Sequence, residues 1–290
     1  MDNKYKICIK EHIDFFNNYL AKELFDYFHT SEVQDSINLR KNKHMCKYIK
    51  QHFLKTYNLL VAVIILVCGN GHKTLLDEGK IIFRSLFENI LNFMYIFSFD
   101  RIETQEKLIE RFYDYAEISI NQYPKKFLDA FKKKPNPSKE ERLIYSKLQE
   151  NGLEDKIKSL LENFNKKYQS KNKNTWSGIS TNSMLEEICS KKPEWGLAFY
   201  KKYYDDANPY VHCNILEYFD KNGYIVENKS EQDILELIHK SIFMFFGYAD
   251  ALFRMLISDF KANFSKMYDE YEIIDDNYHQ TQREPASIQI

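Results

Sequence analysis

Glycine and proline are scarce. Only 8 Gly and 6 Pro occur in 290 residues, which favours long helices over many tight turns. Paired-cysteine motifs are missing. Cys8, Cys46, Cys68, Cys189 and Cys213 are odd in number, widely spaced and without CxxC, a pattern that fits reduced thiols better than a disulfide framework. No charge of one sign dominates: 41 basic residues against 42 acidic ones leave a net charge of −1. A protein that seeks polyanions with its whole surface is thereby excluded, though a local basic patch is not. The first residues, MDNKYKICIKEHIDFF, are charged throughout and carry no signal peptide, so the expected location is cytoplasmic. The strongest apolar run, LLVAVIILVC at 59–68, is about half of the ~20 residues that span a bilayer. It reads as a buried helix end, with no membrane expected. GxSxG and HExxH are absent. GNGHKT at 69–74 lacks the GxxxxGK[ST] pattern and follows a long helix where a P-loop follows a strand. Neither metal nor cofactor is expected.

What remains is helical periodicity nearly everywhere in a chain that is 44% hydrophobic, enough for most of it to fold. The fold class read from this is all-α: a bundle of long antiparallel helices with a peripheral helical and loop insert around 132–175. Helices are expected at 5–29, 31–39, 43–68, 73–98, 101–131, 138–150 and 153–169. Shorter ones follow through Cys189 and at 194–206, and a last long one starts after Ser230 and reaches about Lys266. Gly69-Asn70-Gly71 supplies a helix C-terminus, Asp100 and Ser230 are candidate N-caps, and FDKNGYIVEN at 219–228 reads as a turn with a short extended piece. The domains read as an N-terminal helical segment 1–42, a main helical domain 43–266, and a polar C-terminal tail 267–290.

The most informative segment is LLDEGKIIFRSLFENILNFMYIF, 75–97, with apolar residues on every side and Arg84 and Glu88 one turn apart in its middle. A buried guanidinium or carboxylate is costly unless paired. The pair reads as an internal brace or as the floor of a polar site. Arg111 lies in ERFYDYAEI and shares the core-facing side of the next helix with Leu108, Phe112 and Tyr115, from which it could approach Glu88 or Tyr95. TWSGIS at 175–180 places Trp176 beside Ser177 and Gly178, either as an anchor for the loop or as a stacking platform for a base. YYDDANPYVHCN at 203–214 leads through Tyr204 and a proline turn to His212, a group suited to proton transfer or to fixing the kink. His44 and Cys46 fall on different helix faces and make poor joint ligands. KKFLDAFKKK at 125–134 reads as a solvated basic helix end.

Taken in order, FRSLFENILNFMYI, RFYDYAEI, WSGIS and YKKYYDDANPYVH resemble DUF5677, a bacterial family of unknown function, over roughly residues 45–255. In that family an arginine and a glutamate share a core helix, a WSG-type loop follows, and a Tyr-rich helix leads to a histidine. The matching positions are Arg84, Glu88, Trp176, Ser177, Gly178, Tyr200, Tyr204 and His212. The resemblance implies an α-helical fold and brings no established activity. A looser similarity is to HEPN-type helical proteins, often dimeric, metal-independent ribonucleases of toxin and antiviral systems. Their arginine four to six residues before the histidine is missing, since residues 206–211 are DANPYV. This similarity implies an RNA-cleaving protein or toxin of a bacterial antiphage system. His212 would be its general acid or base, Arg84 or Arg111 its phosphate-facing cation, and Glu88 the orienter of that arginine. Trp176, Ser177, Tyr115 and Tyr204 would contact the RNA substrate. A homodimer and a partner protein of a defence or toxin–antitoxin operon are implied with it. The alternative is a non-enzymatic helical binding module whose Arg/Glu cluster is a structural brace. A third, weaker class is a membrane-surface protein acting through 57–68.

Overall fold

The computed structural model describes residues 3–40, 42–68, 75–133, 135–150, 152–169, 175–192 and 230–283. Most of these residues are helical and none lies in a strand, so the all-α bundle is what forms. The helices are α1 (Asn3–Phe15), a π-helical stretch (Phe16–Leu24), α2 (Phe25–Phe28), α3 (Ser31–Asn38), α4 (Lys43–Cys68), α5 (Leu76–Phe97), α6 (Ile102–Lys132), α7 (Lys139–Glu150), α8 (Leu153–Tyr168), α9 (Thr181–Lys191), α10 (Glu231–Leu256), α11 (Phe260–Asn263) and α12 (Ser265–Arg283). Over the described residues, the seven expected ranges from 5–29 to 153–169 hold to within a turn, the first as α1, the π-helical stretch and α2 in succession. The expected helix at 194–206, the Gly-Asn-Gly stop and the turn at 219–228 lie outside the described residues.

Two compact units divide the chain. One takes the chain up to Ser98 and from Leu185 on; the other is Phe99–Met184. The second therefore begins well before the insert expected at 132–175, because α6 packs on α7 and α8. Tyr145 of α7 stacks on Phe131 of α6 at 4.3 Å, and Leu153 and Ile157 of α8 form a small core with Tyr145, Leu148 and Leu161.

The first unit is built on α4, α5 and α10. Val67 meets Gly79, and Tyr48 lies 6.4 Å from Phe97, so α4 and α5 run antiparallel. α10 lies along both, with Leu237 near Gly79 and Tyr248 5.0 Å from Phe93. Ser230 starts α10 with a capping box: Asp233 N–H donates to the Ser230 hydroxyl at 3.1 Å, and Ser230 N–H donates to Asp233 at 3.0 Å. Ser230 is the N-cap expected from sequence. α10 then stops at Ile257, in extended conformation, well short of Lys266.

The flanks fold onto this core. From Phe16 to Phe28 every fourth residue is apolar and buried or nearly so. A spacing of four drifts by about 40° per step on an α-helix. The looser i→i+5 winding of Phe16–Leu24 offsets that drift and keeps Phe16, Leu20, Leu24 and Phe28 facing inward. The tail expected from residue 267 is instead helical to Arg283, and α12 packs against α1. Met267, Tyr271, Ile274 and Tyr278 form its inward stripe, with Tyr271 stacked on Phe246 at 4.2 Å and Tyr278 on His239 at 3.7 Å. N-terminal and C-terminal segments thus belong to the same unit as α4, α5 and α10.

Gly79 marks the tightest approach. A Cβ there would lie 2.7 Å from Val67 Cγ2 and 3.2 Å from Leu237 Cδ2. Val67 is β-branched and cannot swing away. Gly79→Ala gains about 1 kcal/mol in helix propensity and loses about 1–3 kcal/mol to overpacking. The net expectation in urea unfolding is a midpoint unchanged or lower, by up to about 2 kcal/mol of stability; a midpoint raised by the full propensity gain of about 1 kcal/mol would show that the helices are not in contact here.

Candidate functional site

Arg84 and Glu88 sit one turn apart on α5, as their spacing requires, and Arg84 Nε donates to Glu88 Oε1 at 3.0 Å. The pair is not sealed inside the bundle. The Arg84 side chain is 16% exposed and that of Glu88 43% exposed. α5 buries Phe83, Leu86, Phe87, Ile90 and Leu91 but leaves Ile81, Arg84, Ser85, Glu88 and Asn92 in a partly open stripe. Apolar residues on all sides suggested full burial; Ile81, at 38% exposure, is one of those left in contact with water. Glu88 stands largely in water while Arg84 keeps a buried Nη1, so the cost of this pair lies between that of a helix-surface pair and that of a buried one.

Arg111 lies in the second unit, on α6. Its guanidinium is 5.6 Å from the centre of the Phe164 ring and 5.4 Å from that of Tyr168, both on α8. Around it, Lys167 Nζ donates to Glu110 and to Asp114, each at 2.8 Å, and Tyr168 Oη donates to Asp114 at 2.7 Å. Tyr115 completes the face, 5.7 Å from Phe164, with its phenol pushed up by burial. Burial and the Asp114 hydrogen bond push the Tyr168 phenol up to about 12. Residues 110, 111, 114 and 115 fall on one side of α6, so the ERFYDY motif supplies the helix-to-helix seam between α6 and α8. Cation–π contacts of this kind are worth about 0.5–2 kcal/mol each.

Trp176 is buried and meets Phe112 of α6 edge to face at 5.3 Å. Gly178 adopts φ +80°, a left-handed conformation that a side chain would strain, and its N–H donates to the Thr175 carbonyl. Ser177 is buried as well: its hydroxyl donates to the Ile179 carbonyl at 3.0 Å and accepts from Ile179 N–H at 3.4 Å. Of the two readings of this loop, the geometry favours the anchor. His212 and Tyr204 lie outside the described residues.

Sequence reasoning passed over two buried histidine clusters in the first unit. His52 of α4 donates from Nε2 to the Asn89 carbonyl of α5 at 2.7 Å and accepts at Nδ1 from Tyr248 of α10 at 3.0 Å. Asn89 Nδ2 donates to Thr56 Oγ1, which donates to the His52 carbonyl, both at 2.7 Å. The second cluster joins His12 on α1, His239 on α10 and Asp275 on α12. Its signals were a histidine on an apolar helix face and the E-x-x-H spacing of Glu236 and His239, although Glu236 itself pairs with Lys240. An open cleft of about 550 Å³, lined by Asp259, Lys261, Tyr268 and Glu272 among others, holds none of the candidate residues.

By length and composition α4 could cross a membrane, and 39% of its most apolar window is buried. Its Met45, Ile49, His52, Phe53, Thr56 and Val63 are buried, and its polar groups bond to α5 and α10, as in the core helix of a globular unit.

A family model described as a family of unknown function, DUF5677, matches residues 47–233. No curated protein and no solved structure matches the chain.

If Trp176 is an anchor, Trp176→Ala removes a core contact and lowers stability by about 3–5 kcal/mol in denaturant unfolding. A loss below about 1 kcal/mol would return the ring to the role of an exposed stacking platform.

Proposed function

Since the chain belongs to DUF5677, whose function is unknown, we propose from its own geometry that it is a non-enzymatic helical binding module. The observation that carries this reading is the use made of the candidate residues. Arg84 is held by Glu88, Arg111 packs over Phe164 and Tyr168, Trp176 packs on Phe112, and Ser177 closes its own turn. The Arg111, Trp176 and Ser177 contacts brace helices or a loop, and the Arg84–Glu88 pair lies along α5 itself. A further support is α7, which carries Leu143, Ile144, Tyr145 and Leu148 yet has no buried residue. Leu143 and Ile144 are 58% and 48% exposed, an apolar pair that a partner protein of the same operon would cover. The setting proposed is the cytoplasm.

A second reading is supported by Arg84, whose side chain keeps 16% exposure beside the more open Glu88. It is HEPN-like, metal-independent RNA cleavage by a toxin or antiphage protein, acting as a homodimer. His212 would move the proton, Arg84 or Arg111 would face the phosphate, and Tyr204 would contact the RNA. The two readings part in one experiment. Purified wild type and His212→Ala are incubated with total RNA and tRNA, and the same variants are assayed in cells beside Leu143→Asp/Ile144→Asp. A binding module leaves RNA intact in both preparations, and its cellular effect survives His212→Ala but not the α7 double variant. RNA cleaved by wild type and spared by His212→Ala would overturn the first reading in favour of the second.

A further inference from the structure

Outside the span matched by the family, three polar side chains meet inside the first unit. His12 of α1 is fully buried, His239 of α10 is nearly so, and Asp275 of α12 has a buried Oδ1. His12 Nδ1 lies 2.8 Å from the Cys8 carbonyl oxygen, and His12 Nε2 lies 3.0 Å from His239 Nδ1. His239 Nε2 lies 3.4 Å from Asp275 Oδ1. Among the described residues no group of three His, Cys, Asp or Glu side chains is placed to hold a metal ion, so proton sharing has to account for these contacts.

Donor and acceptor rules then count the protons. A carbonyl only accepts, so His12 Nδ1 carries a hydrogen. The link from His12 to His239 needs a second hydrogen, and the buried Asp275 Oδ1, which has no hydrogen bond as a bare carboxylate oxygen, needs a third to join it to His239 Nε2. Two neutral imidazoles supply only two. Without the third, His239 Nε2 and an ionised Asp275 would face each other as bare acceptors at 3.4 Å, too close for an intervening water. We infer that the Cys8 carbonyl, His12, His239 and Asp275 form a one-proton latch that clasps α1 and α12 to α10 and loosens on both sides of pH ~6.5.

The pH follows from the open form. Freed into water, two imidazoles with pKa ~6.5 together hold about one proton at that pH, none well above it and two well below. The closed latch holds one throughout. Above ~6.5 closing takes up a proton, and below it closing releases one, so stability falls in both directions. The opening constant rises towards about tenfold per pH unit on each side. Burial acts in the same sense. It lowers His12; it lowers His239, with help from His12, His279 and Lys240; and it raises Asp275. The other groups facing the latch are Cys8 and Glu11 on α1, Lys240 with its partner Glu236 on α10, and Asp276, Tyr278 and His279 on α12. His279 is exposed, with Nε2 3.7 Å from the same Asp275 oxygen. Release of α12 would bare Phe246 and Phe15, which Tyr271 now covers.

Hydrogen exchange on the whole protein from about pH 5 to about pH 8.5, with rates corrected for intrinsic exchange, tests this. Protection of Ser265–Arg283 is expected to peak near pH ~6.5 and to fall towards tenfold per unit on each side, while α5, which His52 weakens only on the acid side, shows no alkaline fall. In Asp275→Asn the amide donates to His239 without any extra proton, so the alkaline fall should vanish and the acid fall remain. His279→Gln should keep the wild-type profile. Protection that climbs with pH and then levels off would mean that no third proton is held, and would overturn the latch. A profile unchanged in Asp275→Asn, or lost in His279→Gln, would do the same. Should Asp275→Asn not fold, the wild-type profile alone decides between a peak and a plateau.

Discussion

One neutral imidazole, that of His52, joins the three helices on which the first unit is built. It donates to the Asn89 carbonyl on α5 and accepts from the Tyr248 hydroxyl on α10, while Thr56 and the Asn89 amide close the circuit around it. The surrounding rings of Phe93, Tyr48 and Tyr248 keep water out. In such a setting a satisfied polar network specifies one arrangement, because any slip of a helix would strand a donor or an acceptor. Burial holds the His52 imidazole down to about 3, with the Asn89 carbonyl working weakly against it. The group is therefore neutral in the folded state. The unfolded chain takes up a proton below ~6.5 that the folded one refuses, so this network loses stability as pH falls from ~6.5 towards 3.

The position of everything else depends on that arrangement. α5 presents Arg84 and Glu88 along its partly open stripe only because its other faces are committed to α4 and α10. α10 carries His239 to the place where α1 and α12 cross it. The second unit solves its own packing differently. Its core is small, and a cation laid over two aromatic rings, with a lysine shared between two carboxylates, does much of the joining of α6 to α8. In both units buried polar side chains, His52 in the first and Arg111 in the second, join one helix to another, and the proposed binding scaffold rests on that use.

Much of the helical layout was legible because apolar period and breakers agree. α4, α5, α8 and the Ser230 cap of α10 sit within a few residues of where the sequence puts them. α12 was missed because its inward stripe is half tyrosine, and a stretch dense in Asp, Glu and Asn masked the helical spacing of Met267, Tyr271, Ile274 and Tyr278. The exposure of Arg84 and Glu88 was misjudged because an apolar residue such as Ile81 can face solvent without penalty to the fold. The π-helical stretch has no signature beyond a spacing of four. The pairing of His12 with His239 links residues 227 apart, which no local pattern can announce.

Nitrogen-15 NMR of the His52 ring over about pH 5 to 8 tests the central claim most directly. A neutral imidazole protonated only at Nε2, with shifts that stay constant across the range, is the predicted result. A His52 that titrates within it, or that carries its proton at Nδ1, would mean that the bridge between α4, α5 and α10 does not exist as described.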